Sequence, residues 1–388
     1  MKYLTYSTYI LLILLFTCCK KKTNYQKITP VVKLSNALKI DSSTCEIPID
    51  SVCQFFYKKV SYCPANNVLC GFNPKTNAVD FYDLAKNKYL YSAKLPKPKL
   101  DMINNVYAVL YRNKDSLFVV SGNYITLMDS SGKLKKSISI NARSHNPVFR
   151  KINLYDWDTN NDLYFDEGSK QLNIPQISVE KPQGSSDYYE LPFLAKVEIG
   201  NNNTITSLPV SYSSLYKLNY YGFMNYPQVI YPSKDIIVYT FPIEPNIYIF
   251  DRKSNTTKVV GGAIGPHNSI STSINWEASY DDDSKLKNMI ENVNYVRFLY
   301  DPFRKLYYRL QYDALPEKNR ETETQNDSHQ ILTIFNNKFQ IIGVKDLTDR
   351  RYYLYTAFVA KKGLYLPAAK GNSTLRFKIL TISNNEKS

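Results

Sequence analysis

The residues best suited to chemistry lie at the start of the chain. Leu15-Phe16-Thr17-Cys18 places Leu at −3, a small residue at −1 and Cys at +1, the pattern of a bacterial lipobox. A small residue before the cut suits a signal peptidase, and a free thiol can take a diacylglycerol thioether. Lys2 supplies a positive n-region, and Tyr9 to Phe16 form an apolar stretch too short to span a bilayer. Cys18 is therefore the expected lipidation site. Cys19 would put Phe16 at −3, a poorer fit. The polar run Lys20-Lys21-Lys22-Thr23-Asn24 argues against an anchor helix. Several acyl chains would hold the mature chain on a membrane. The basic residues after Cys18 favour a periplasm-facing position in the cell envelope.

Four further cysteines, Cys45, Cys53, Cys63 and Cys70, are clustered in an exported chain, which points to disulfides. Three pairings are possible. A turn centred on Asn66-Asn67 would set Cys63 opposite Cys70, and a loop around Pro48-Ile49-Asp50 would set Cys45 opposite Cys53. A four-cysteine zinc site lacks its CxxC knuckle. His145, His267 and His329 are far apart, and no HExxH, GxSxG, Walker or GxGxxG motif occurs. No metal, cofactor or catalytic residue is assigned on these grounds.

The densest polar and aromatic run is Asn294 to Arg309, two strands about a turn at Asp301-Pro302. Alternation puts Tyr295, Arg297 and Leu299 on one face and Tyr307 and Arg309 on one face of the partner. Arginine beside tyrosine can hold an anion or a sugar through bidentate bonds and stacking. These four residues, Tyr295, Arg297, Tyr307 and Arg309, form the candidate ligand site. The competing reading is arginine tied to backbone carbonyls inside the fold.

Such residues need a scaffold, and the rest of the chain reads as short strands. It has 388 residues and a formal charge of +15. With 34 tyrosines and 13 glycines it is rich in β-formers and poor in linker residues. The positive charge is dispersed lysine without an RNA-recognition sheet or recognition helix, so no nucleic-acid partner is expected. One unit recurs: an apolar strand, a second strand ending in Asp, a polar turn and a third strand. Copies begin at Val68, Leu117 and Ile236, with weaker ones near Ala195, Ile331 and Leu364. Six multi-stranded repeats of about 50 residues indicate an all-β, six-bladed β-propeller. A pair of β-sandwiches is the alternative. The expected organisation is a signal peptide at 1–17, a tether at 18–30 and a propeller at 31–388, closed by the segment near Val31-Val32-Lys33-Leu34. Asp283 or Ser284 is expected to cap a helix running to Val293, with Leu286, Met289, Ile290 and Val293 on one face.

The lipobox, the six weak blades and the run Tyr-Val-Arg-Phe…Asp-Pro…Tyr-Tyr-Arg resemble a lipoprotein family of Bacteroidetes, domain of unknown function 4221. That resemblance implies a TolB-like six-bladed propeller in the cell envelope and brings no reaction or catalytic residue with it. A rigid disc with an axial mouth suits binding or scaffolding of a protein or glycan partner. The alternative is a glycan- or peptide-processing enzyme with its site at that mouth. The sequence carries no signal of oligomeric state.

Overall fold

The computed structural model describes residues 27–28, 38–49, 53–54, 56–96, 106–121, 124–139, 152–153, 163–178, 181–200, 204–261, 269–319, 325–347, 352–368 and 374–384. Cys18 and the segment Val31–Leu34 lie outside them.

Six sheets, each built on four antiparallel strands, succeed one another in chain order, with a short separate pair, Ile152–Asn153 against Ile177–Ser178, beside them. Blade 1 is Val60–Cys63, Val68–Asn73, Ala78–Asp83 and Lys88–Lys94. Blade 2 is Val106–Asn113, Ser116–Ser121, Tyr124–Met128 and Leu134–Ser139. Blade 3 is Tyr164–Asp166, Gln171–Pro175, Leu194–Glu198 and Ile205–Ser207. Blade 4 is Gln228–Ile230, Ile236–Phe241, Glu244–Asp251 and Thr256–Gly261. Blade 5 is Asn294–Asp301, Leu306–Tyr312, Gln330–Phe335 and Ile341–Asp346. Blade 6 takes Phe358–Ala360, Gly363–Pro367 and Thr374–Asn384 from the C-terminus and its fourth strand, Leu38–Pro48, from the N-terminal side. The six sequence repeats fall in six different blades, and the chain is a six-bladed β-propeller.

The polar turns explain why each hairpin closes where it does. Asp83, Asp251 and Asp301 accept bonds from the backbone N–H two residues on, at 2.8, 2.8 and 2.9 Å. The fourth turn residue is left-handed: Asn87, Asn255 and Lys305 have φ of 51°, 56° and 55°. Asn tolerates that conformation better than most residues.

The same chemistry corrects the cysteine hairpin. Asn67, at φ 53°, is the last residue of a four-residue turn rather than half of a two-residue one. Cys63 therefore faces Val68, and Cys70 faces Ser61. Cys45 does not sit in a hairpin with Cys53; it lies opposite Phe377 in blade 6. All four cysteines are buried and unbridged. The Cys45 thiol donates to Asn87 Oδ1 and the Cys63 thiol to the Arg112 carbonyl.

The core sits between blades. One apolar cluster fills each interface: Val79, Phe81, Val109 and Val119 between blades 1 and 2, for example, and Leu310, Leu332, Leu364 and Leu366 between blades 5 and 6. A single blade has two apolar faces and cannot bury both alone; a closed ring of blades buries all of them. Closure is made by eleven paired residues, Leu38–Pro48 against Thr374–Asn384, downstream of the expected Val31–Leu34. Leu38 and Ile40 pack on the blade 5–6 cluster, whereas Cys45 and Ile47 pack on the blade 6–1 cluster. Upstream, Lys27–Ile28 runs parallel to the outermost strand of blade 4, opposite Val259 and Val260.

Strand direction alternates within a blade, so second-to-third strand links and blade-to-blade links emerge at one end of the disc. The α-helices and short 3-10 turns among the described residues all lie in those links. The longest helix among the described residues, Asp282–Glu291, starts slightly earlier than expected: Asp281 is its cap and accepts from Asp283 N–H at 3.1 Å. Leu286, expected on its apolar face, is exposed.

Candidate functional site

The first strands of the blades surround the axis and enclose a cavity of about 380 Å3. All six blades contribute, including Ser61, Leu110, Tyr164, Ile230, Arg297 and Phe358. Pro64, Pro232 and Pro302 also line it. They begin the turns between first and second strands, so the cavity belongs to the end of the disc opposite the helical links. Its wall combines Val, Leu, Ile and Phe side chains with four half-buried tyrosines, Tyr62, Tyr164, Tyr231 and Tyr300. Tyr164 and Tyr231, from adjacent blades, stack with ring centroids 4.8 Å apart. The Tyr62 hydroxyl donates to Asn67 Oδ1 at 2.8 Å and accepts from Lys361 N–H at 3.3 Å. Burial raises the pKa of Tyr62, Tyr164 and Tyr300 above the usual phenol value, which keeps them neutral at physiological pH.

Among the described lining residues, Arg297 carries the charge. It is 3% exposed. Its Nε donates to the Ala357 carbonyl and its Nη1 to Gln228 Oε1, each at 3.2 Å. The guanidinium thus belongs to blade 5 and is held from blades 6 and 4.

Arg297 does not share a face with Tyr295. The ladder shifts register between them: Tyr295 lies opposite Gln311 and Arg297 opposite Leu310. The extra residue, Val296, makes a β-bulge and re-aims the side chains beyond it. Tyr295 instead lies under the Arg309 guanidinium, 4.8 Å from ring centroid to guanidinium carbon, and Phe335 lies 5.4 Å from it. Arg309 Nη1 donates to the Pro245 carbonyl of blade 4 at 2.9 Å. Complete burial lowers the Arg309 pKa to about 10, opposed by Tyr295, so it remains charged at neutral pH. Tyr307 stacks on Phe298 and Phe339. Of the four residues singled out in the sequence, Arg297 reaches the axial cavity. Tyr295, Tyr307 and Arg309 lie in the packed layer between blades 4 and 5.

The four cavity tyrosines come from separate blades and share no continuous motif. Three have a common local signal at the end of a first strand: Tyr62-Cys63-Pro64, Tyr231-Pro232 and Tyr300-Asp301-Pro302. Among the described residues, three carboxylates are buried away from the cavity. Asp80 accepts from Tyr57 at 2.5 Å, from Asn73 at 2.9 Å and from Ser92. Glu244 accepts from Tyr248 and Asp301 from Tyr308, each at 2.8 Å. These groups tie strands within their own blades.

Among the described residues no helix is long and apolar enough to cross a membrane. No curated protein matches the chain. Among the solved structures that share its fold are two from Bacteroides. A protein of Bacteroides fragilis described as exported aligns over 91% of this chain and 98% of its own, at TM-score 0.53 and 8% identity. A member of the DUF4221 family from Bacteroides vulgatus aligns over 89% of this chain and 99% of its own, at TM-score 0.75 and 16% identity. The sequence model for that family, "Domain of unknown function (DUF4221)", matches residues 36–345, from the closing strand to the last strand of blade 5, and the chain belongs to this family.

Proposed function

We propose that this protein is a lipid-anchored binding propeller of the bacterial cell envelope, with its ligand, a protein segment or a glycan, held in the axial cavity. The observation that carries the reading is the convergence of all six first strands on one cavity with aromatic and aliphatic walls and a fixed guanidinium. Concave, mostly apolar sites with a few oriented polar groups are what small ligands and peptide side chains occupy. Filling the cavity with Leu110→Trp should abolish ligand binding while leaving the melting profile close to that of the parent. Unchanged affinity in a folded Leu110→Trp variant would move the site elsewhere.

The lipobox and the fold shared with a Bacteroides fragilis protein described as exported support the envelope position. Cys18 precedes Lys27 by nine residues, which reach about 30 Å at most when extended. Anchoring at Cys18 would therefore keep the rim of blade 4, where Lys27–Ile28 docks, near the membrane. Metabolic labelling with a fatty-acid analogue tests this: Cys18→Ser should lose the label, and equal labelling of both chains would reject it.

A further inference from the structure

We propose that the axial cavity is selective for a carboxylate borne on an apolar group, with Arg297 receiving the carboxylate and the aliphatic and tyrosine wall receiving the apolar part. This rests on the reading of the cavity as the ligand site and adds the class of ligand. Four observations converge on it.

The first is the composition of the wall. Val60, Val109, Leu110, Leu163, Ile230 and Leu299 present hydrocarbon to the cavity, a poor match for a fully hydroxylated sugar and a good one for an alkyl or aryl group. The second is the sign of the charge. The described lining holds a cationic side chain and no acidic one, so an anion is matched and an ammonium is not. The third is preorganisation. Arg297 is buried and fixed at two nitrogens by Ala357 and Gln228, so little side-chain freedom remains to be lost when an anion docks. The fourth is the size. About 380 Å3 lies near the small end of the range for small-molecule sites, about 300–1,000 Å3. That holds one compact group and excludes a folded domain. The chain's net charge of +15 adds long-range attraction for any anion.

The same chemistry is offered by a free hydrophobic acid and by a peptide C-terminus ending in an apolar residue. Matched acids and amides separate the carboxylate from everything else without altering the protein. Calorimetric titrations would use 4-phenylbutyrate against 4-phenylbutyramide, and N-acetyl-Ala-Ala-Phe with a free against an amidated C-terminus. A charge-assisted bond to a desolvated guanidinium should make each acid about ten- to hundred-fold tighter than its amide. The tighter of the two acids identifies the source.

Arg297→Gln keeps a donor near Ala357 and removes the charge. It should bring acid and amide to equal affinity. Because Arg297 also ties three blades, its melting temperature is measured alongside. A fold too unstable to titrate leaves the acid–amide ratio of the parent protein as the deciding number. Equal affinity of acid and amide for the parent protein would overturn the proposal while leaving the cavity as a ligand site. Neutral maltotriose binding in preference to both acids would overturn it as well. Acid binding that survives Leu110→Trp unchanged would instead remove the underlying reading of the cavity.

Discussion

Replacing Ile47 with Ala tests whether the ring is held shut by the strand Leu38–Pro48. Ile47 is 0% exposed and sits in the blade 6–1 cluster with Tyr57, Leu69, Phe358 and Phe377. Its neighbour Glu46 points outward and pairs with Arg376 at 3.1 Å, with both side chains nearly half exposed. Removing three buried carbons from a well-packed site costs about 2–5 kcal/mol, transfer and cavity together. Removing a solvated ion pair costs about 0–1 kcal/mol. If the propeller unfolds as one unit of roughly 350 residues, the unfolding entropy is about 0.7 kcal/mol/K at about 2.1 cal/mol/K per residue. A loss of about 3 kcal/mol then lowers the midpoint by about 4 °C, and Glu46→Ala lowers it by about 1 °C or less. Scanning calorimetry of the parent and both variants reads both quantities. The closure argument also requires the peak to remain single, because opening one seam exposes the apolar faces of blades 6 and 1 together. Equal shifts for the two variants, or a separate low-temperature peak confined to Ile47→Ala, would refute the reasoning.

Three further outcomes are expected. Gly71→Ala would drive a Cβ into the Tyr57 ring, displacing the phenol that donates to Asp80; a loss of about 1–3 kcal/mol in chemical denaturation is expected, and a neutral result would show that Tyr57 can move without cost. Arg309→Lys removes the planar group stacked between Tyr295 and Phe335, so thermal stability should fall by several degrees with affinity at the axial cavity unchanged; lost affinity with unchanged stability would return Arg309 to the binding surface. In the native chain Cys45, Cys53, Cys63 and Cys70 are buried thiols, and burial raises the pKa of Cys45 and Cys70. Ellman's reagent at pH 8 should leave these four unreacted until the protein is denatured, and mass mapping that finds any two of them bridged would reject the thiol state.

The blades were legible because a local rule recurs among them. Asp83, Asp251 and Asp301 end a strand, bind the backbone two residues on and are followed by a left-handed turn residue, and such chemistry is visible in sequence. The closing strand was not, and its burial pattern says why. Its first half leans on blade 5 through Leu38 and Ile40, its second half on blade 1 through Cys45 and Ile47, and residues 41–44 between them are exposed. The alternation changes phase in the middle, so no period of two runs through the segment. The cysteine hairpin slipped for a smaller reason: Asn66-Asn67 reads equally well as a two-residue turn or as the second half of a four-residue one, and the register moves with that choice.

The site was harder to read than the scaffold because propeller geometry assembles it from places that sequence keeps apart. Tyr62 and Tyr300 are more than two hundred residues apart in the chain yet line one cavity. The two arginines, twelve residues apart, part company for a different reason. A single extra residue, Val296, shifts the alternation of the first strand of blade 5, so Arg297 emerges on the axis, whereas Tyr295 turns to cover Arg309 in the interface with blade 4. A bulge leaves no mark in residue type, since its extra position here is an ordinary buried valine. Both arginines are buried, both donate to a backbone carbonyl of a neighbouring blade, and both look alike in sequence. What separates them is solely which side of the blade each one is turned to, and hence whether its charge meets an aromatic ring or a cavity that a ligand can enter.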